Sequence, residues 1–296
     1  MSMEPSTSPS VSRTGRVAAK TVLYALLLLW AFIQVYPIFW MFMTGFKTEG
    51  EFELNPLSLP GKLFVQNWVY AWQGGIAGSI AERSQYTIPV FFMNSAIVAA
   101  PSLVAIVIVT TLAAYAIARY KFVGKRLAFA FFIAMLAVPM NSVVISVFIF
   151  YAKMHLLNNY LGLIFIHVAF NVSFAVVILV AYFRSFPQEL VDAATIDGCS
   201  DLGVLRRIVV PIAKGTLSSV AIVDFIIIWN ELLFANVLNP KLPTLTVGAL
   251  RWEGQHRTYW TPMIAALALA TIPTIVFYLV FHRNIIKGIT TGSIKS

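Results

Sequence analysis

A chain of 296 residues with 59% hydrophobic and only 11% charged side chains cannot clothe a water-facing surface, for which about 25% charged residues is usual. The net charge of +9 sits in short basic clusters between apolar runs, which excludes the basic stripe with interleaved aromatics that a nucleic-acid surface requires. A single cysteine, Cys199, excludes an internal disulfide and leaves no pair for a zinc or redox motif.

In chain order, Met1–Lys20 is Ser/Pro-rich and basic and reads as a disordered arm (1–20). The apolar stretch from Thr21 to about Phe46 is too long for a cleaved signal core and lacks an A-x-A exit, so it reads as a retained anchor. Further apolar runs at 88–118, 127–152, 161–183, 215–237 and 262–282 are each long enough to cross a hydrocarbon core of about 30 Å. None alternates polar and apolar residues as a barrel strand must. The pattern predicts an all-α, polytopic membrane protein with six transmembrane helices, kinked at Pro101, Pro139 and Pro273. It divides into a first helix with a long outer loop (21–87), a five-helix core (88–285) containing a helix-turn-helix loop at 187–211, and a tail (286–296).

Orientation follows from the basic residues. With the N-terminus inside, two thirds of the 21 Lys and Arg residues fall on the inner side, in clusters such as Arg119, Lys121, Lys125 and Arg126. The acidic Glu49, Glu51, Glu53 and Glu82 fall outside, and both termini are cytoplasmic. The outer segments 47–87 and 238–261 carry Trp68, Tyr70, Trp72, Trp252, Tyr259 and Trp260, which suit either interfacial anchoring or contact with an outer partner protein. No inverted internal repeat is visible.

The inner loop between the fourth and fifth runs has helical grammar of its own. Ser185 with Gln188 has the spacing of a capping box, and Pro187 suits a first turn. Leu190, Ala193, Ala194 and Asp197 fall on one small, mostly apolar face. Gly198 suits a left-handed corner, Ser200 and Asp201 start a second helix, Val204, Leu205 and Ile208 give it an apolar face, and Pro211 ends it or opens the next span. Small alanines permit close approach of another surface, with Glu189, Asp192, Arg206 and Arg207 fixing register by charge. An amphipathic helix on lipid headgroups is the other reading, and the acidic Glu189, Asp192, Asp197 and Asp201 weigh against it.

The run from Pro187 to Gly198, closing at Ile208-Val209-Val210-Pro211, resembles the EAA loop of binding-protein-dependent ABC importer permeases (type I, MetI-like). Asn94-Ser95, Ala114–Arg119, Trp229-Asn230-Glu231 and the ending Gly288–Lys295 narrow the resemblance to the MalG-like carbohydrate permease branch. Asp192 stands where the family usually has Glu, Cys199 where Ala is common, and Ser296 where Gly often ends the chain. The resemblance implies that Glu189, Asp192, Ala193, Ala194, Asp197, Gly198, Arg206 and Pro211 couple to an ATPase cleft, and that the tail, with Gly292, Ser293 and Lys295, approaches the same subunits. It further implies pairing with a homologous permease chain as a heterodimer, two ATPase subunits and an outer solute-binding protein, in contact with membrane lipid and with no nucleic acid.

No phosphate-binding G-x-x-x-x-G-K-[ST] loop occurs, so ATP and Mg are expected on partner ATPases, with no cofactor, metal or catalytic residue on this chain. Asp224 falls near mid-membrane, with Glu231 seven residues on and, in a continuous helix, on the same face. Asp224 suits a proton relay, a path residue for sugar hydroxyls or a structural acceptor; the first would make the chain a proton-coupled secondary transporter. Asn94, Trp229, Asn230 and Glu231 are further candidates for a path that takes a polyhydroxylated solute, as are His167 and Asn171, and helix packing is the alternative for each.

Overall fold

The computed structural model describes residues 13–73, 87–250 and 258–293. Helix α1 (Arg13–Thr44) is followed by short helices α2 (Glu49–Leu54) and α3 (Gln66–Gln73), and then by the long α4 (Ile88–Arg119). Next come α5 (Lys125–Leu136), a 3-10 turn (Met140–Val143), α6 (Val144–Lys153) and the long α7 (Tyr160–Ser185). The loop helices are α8 (Gln188–Ile196) and α9 (Asp201–Val204), the latter continued by a π turn (Leu205–Val209) into α10 (Val210–Ile212). Helices α11 (Lys214–Trp229), α12 (Leu233–Leu238), α13 (Leu245–Ala249) and α14 (Trp260–Ser293) complete the chain.

Four of these helices, α1, α4, α7 and α14, contain continuous membrane-length segments. The expected third span, 127–152, is instead two short helices meeting at 89°. Pro139 sits in the break: it donates no hydrogen bond and biases Val138 away from helical backbone. The expected fifth span, 215–237, stops at Trp229, and its start turns by 78° from the helix that precedes it. Six crossings therefore result only if each bent pair makes one crossing. Helix α1 already begins at Arg13, because Arg16–Lys20 contains good helix formers, so 13–20 is not part of a disordered arm; residues 1–12 lie outside the described ones. At the other terminus α14 runs unbroken through 286–293, where a separate tail was expected.

The core is built on α4 against α7. Small residues with no exposure, Ala114 and Ala175, let the backbones approach, and Ile106, Val176, Leu179 and Phe183 fill the seam. Tyr115 meets Phe183 edge to face with ring centres 5.9 Å apart. Helix α14 joins α11 through stacked Phe225 and Phe277 rings, 3.7 Å between centres. The Ser102 and Thr110 hydroxyls inside α4 donate to the carbonyls of Val98 and Ile106, so these two present no unpaired donor to the apolar interior.

Helix α1 is different: positions 21–39 are all exposed, and the helix is attached at its end. There the Asn67 amide donates to the carbonyls of Gly45 (3.0 Å) and Lys47 (2.6 Å), while Trp68 packs against Phe42 and Phe46. Asn67 and Trp68 thus hold the chain together rather than serving as interfacial anchors, whereas Trp72 is exposed; Trp252 lies outside the described residues. Lys47, with no exposed surface, donates to Asn55 O, Pro56 O and Ser58 Oγ, and burial lowers its pKa. Glu49 accepts from the Thr261 amide and hydroxyl, capping the start of α14. The bundle so has a far end, where these contacts lie, and a loop end, where α4 and α7 meet residues 186–213.

Candidate functional site

At the loop end the local rules mostly act as the residue types require, with one exchange of roles. Ser185 makes no capping box: its hydroxyl donates to Tyr182 O (2.9 Å) and closes α7 instead. Helix α8 starts at Gln188 without a side-chain cap. Gln188 is engaged elsewhere, donating to Asp192 Oδ1 (2.9 Å) and accepting from the Arg119 guanidinium (2.6 Å). Arg119 also donates to Phe186 O (2.6 Å) and lies over the Phe186 ring, 5.6 Å from its centre. In the sequence Arg119 belongs to the inner basic cluster and ends the Ala114–Arg119 motif; its place in the last turn of a long helix, facing a proline-led helix start, is the signal for this contact.

The corner forms as expected. Gly198 has φ +79°, and the amides of Gly198 and Cys199 close back on Thr195 O and Ala194 O, each at 3.0 Å. Ser200 Oγ accepts from Gly203 N (3.3 Å) and starts α9. Asp201 faces the Tyr120 hydroxyl; burial, then the charge and hydrogen bond of Asp201, push the Tyr120 phenol up to about 12.

Burial divides the expected small face. Ala194 turns inward with Val204, Leu205 and Val209 and belongs to the core, so of the two alanines only Ala193 remains on the surface. The reason is the corner itself, which folds α9 back and takes Ala194 under cover. Beside Ala193 the surface presents Glu189, Asp192, Asp197, Arg206 and Pro211, together with the exposed apolar Leu190, Ile196 and Leu202. Ile196, 86% exposed, has no reason to face water in an isolated chain.

The path candidates separate into bonded and unbonded groups. Asn94 donates to Pro243 O (2.9 Å) and accepts from the Tyr160 hydroxyl (2.6 Å), and its neighbour Ser95 accepts from Leu245 N (2.8 Å). Asn171 donates to the backbone carbonyl of His167 (2.8 Å), so the two do not form a side-chain pair. Asn230 caps the end of α11, its amide on Ile226 O (2.8 Å). Glu231 is not on the Asp224 face, because the helix has ended; it accepts from Phe234 N (2.7 Å) and Ala235 N (2.9 Å) and caps α12. By contrast both Asp224 oxygens, His167 Nδ1 and Trp229 Nε1 are buried with no partner among the described residues. Trp229 packs between Phe92 and Phe225, with ring centres 5.4 and 5.2 Å away. Gly292 and Ser293 lie in the last turns of α14, and Lys295 lies outside the described residues.

Membrane-length helices around a small-residue core, carrying at one end a glycine-cornered helix pair with an exposed apolar and charged face, define a polytopic membrane transport subunit. Residues 106–291 match the family described as binding-protein-dependent transport system inner membrane component, and the chain belongs to that family. It is 30% identical, over 97% of its length and 92% of the relative's, to the diacetylchitobiose uptake system permease protein NgcG of Streptomyces coelicolor. It is 31% identical, over 90% of its length and 94% of the relative's, to the trehalose/maltose transport system permease protein MalG of Thermococcus litoralis. Its fold is shared with a chain in the crystal structure of a bacterial ABC transporter involved in the import of the acidic polysaccharide alginate: TM-score 0.71, 21% identity, covering 93% of this chain and 99% of that one.

Proposed function

We propose that this chain is the permease subunit of an ABC importer for a carbohydrate, forming half of the translocation path beside a homologous permease chain. Two ATPase subunits bind at 187–211, hold the ATP and Mg, and do all the hydrolysis; an outer solute-binding protein delivers the solute. Both termini lie on the cytoplasmic side. The observation that carries this reading is the loop: a folded helix pair whose exposed face mixes Leu190, Ile196 and Leu202 with Glu189, Asp192 and Arg206 suits a protein cleft better than headgroups. The substrate class is supported by the diacetylchitobiose and trehalose/maltose systems of the relatives. Along the path, Asp224, His167 and Trp229 are the groups with bonding capacity to offer hydroxyls.

The test is reconstitution. The chain is co-expressed with its partner permease, ATPase and binding-protein chains, and uptake of labelled diacetylchitobiose, maltose and trehalose into proteoliposomes is followed. Uptake should require ATP and should vanish in Gly198→Asp while membrane insertion persists. Uptake by the chain alone under a proton gradient would overturn the reading, and so would normal uptake by Gly198→Asp.

A further inference from the structure

Between α7 and α8 the backbone is extended at Phe186 (φ −70°, ψ 133°) and Pro187 (φ −55°, ψ 126°). No intrahelical hydrogen bond stiffens this two-residue link, so pushing α8 would by itself bend the link before it moved α7. The Arg119 guanidinium spans it. One arm donates to Phe186 O before the proline, the other to Gln188 Oε1 after it, both at 2.6 Å, while the guanidinium plane lies over the Phe186 ring. Neither acceptor is a carboxylate, so the contact supplies direction rather than charge neutralisation. Two acceptors on opposite sides of a proline match the rigid, planar fork of a guanidinium; a lysine, as a point charge on a flexible stem, fixes their relative direction far less firmly.

The far end of the same helix is gripped equally firmly. Asn94 and Ser95 hold Pro243 O and Leu245 N at 2.9 and 2.8 Å. The 32 residues of α4 span about 48 Å. One helix thus ties the start of the loop to the 243–245 segment at the opposite end. Beside Arg119, the C-cap residue Tyr120 faces Asp201 at the start of α9, so the first turns of both loop helices are referenced to adjacent residues at the end of α4.

We propose that Arg119 is a positioning residue that makes α4 a direct carrier of motion from the 187–211 loop to the 243–245 segment, in parallel with the covalent links to α7 and α11. This rests on the reading that the loop receives ATPase motion. In Arg119→Lys the loop still docks and hydrolysis continues, but the motion is absorbed by the Phe186-Pro187 link.

Uptake and ATP hydrolysis are measured on the same proteoliposomes, with whichever of the three sugars the wild type imports. Arg119→Lys should retain hydrolysis while sugar moved per ATP falls at least about fivefold. Gln188→Ala, an exposed change that leaves folding intact, should lower the same ratio part of the way. The double variant should be no worse than Arg119→Lys alone, because the Arg119–Gln188 bond removed by Gln188→Ala is already lost in Arg119→Lys. Wild-type stoichiometry in Arg119→Lys, or additive losses in the double variant, overturns the proposal. Should Arg119→Lys fail to assemble, a wild-type ratio in Gln188→Ala overturns it. Gly198→Asp run alongside separates the two readings: if it too imports normally, the docking role of the loop falls rather than the role of Arg119.

Discussion

Gly198 offers a matched experiment because the chain contains a second glycine in nearly the same conformation. Gly198 has φ +79° and Gly124 has φ +85°, and a Cβ built on either meets no atom within 4 Å. Alanine at either position therefore adds no clash and introduces only the cost of a left-handed L-residue, about 1–2 kcal/mol. That lowers the ratio of formed to unformed corner by about 5–30-fold. At Gly124 the affected turn leads into α5; at Gly198 it is the corner that sets α8 against α9. Gly124→Ala and Gly198→Ala should lower the melting temperature of the detergent-purified complex by the same few degrees, read by intrinsic fluorescence. Only Gly198→Ala should reduce sugar imported per ATP. Gly198→Asn should fall between wild type and alanine, since asparagine tolerates the left-handed region. Equal loss of import at both glycines, or an asparagine variant worse than alanine, would refute the reasoning.

Two further outcomes follow from contacts at the far end. Glu231→Ala leaves the amides of Phe234 and Ala235 without their acceptor and should cost about 1–2 kcal/mol in thermal unfolding. The sugar concentration for half-maximal uptake should stay unchanged, and a large change there would show contact with solute rather than capping. Gly248 packs against the Phe91 ring so closely that an added Cβ would overlap it. Gly248→Ala should destabilise by about 1–3 kcal/mol, and Phe91→Leu in the same chain should recover part of that loss. Strict additivity in size-exclusion melting curves would count against the contact.

The parts legible in the sequence were those set by local chemistry. The glycine at 198 and the serine at 200 act where their conformational and capping preferences place them, and apolar length located α1, α4, α7 and α14. Pro139 marked where the third apolar run bends, but its angle of 89° was not legible, because hydropathy and composition carry no angle. Glu231 was placed on the Asp224 face by helical periodicity, which holds only while the helix does; Asn230 ends it one residue earlier. Ala194 was assigned to the surface because period alone does not show how far the corner folds α9 back. Arg119 was invisible as a clamp because its acceptors lie 67 and 69 residues away.

The polar groups buried among the helices sort by whether their hydrogen-bonding capacity is already met. Asn94, Ser95, Asn171 and Glu231 are bonded to backbone groups of this chain, and Asn94 and Glu231 each have two such contacts or their equivalent. Releasing Asn94, Ser95 or Glu231 to a solute would leave a buried carbonyl or amide unpaired, at about 1–3 kcal/mol each. A passing solute that must also leave again is poorly served by groups with that penalty. Asp224, His167 and Trp229 carry no such penalty, because their buried polar atoms have no partner among the described residues to give up. A carboxylate left so in hydrocarbon costs about 2.5–3.5 kcal/mol on insertion scales, which makes Asp224 the group with most to gain from a hydroxyl or water reaching it. The residues that most resemble a sugar site by type, an asparagine and a glutamate beside a tryptophan, are thus structural in part, and the unbonded aspartate one and a half turns earlier in α11 is the stronger path candidate.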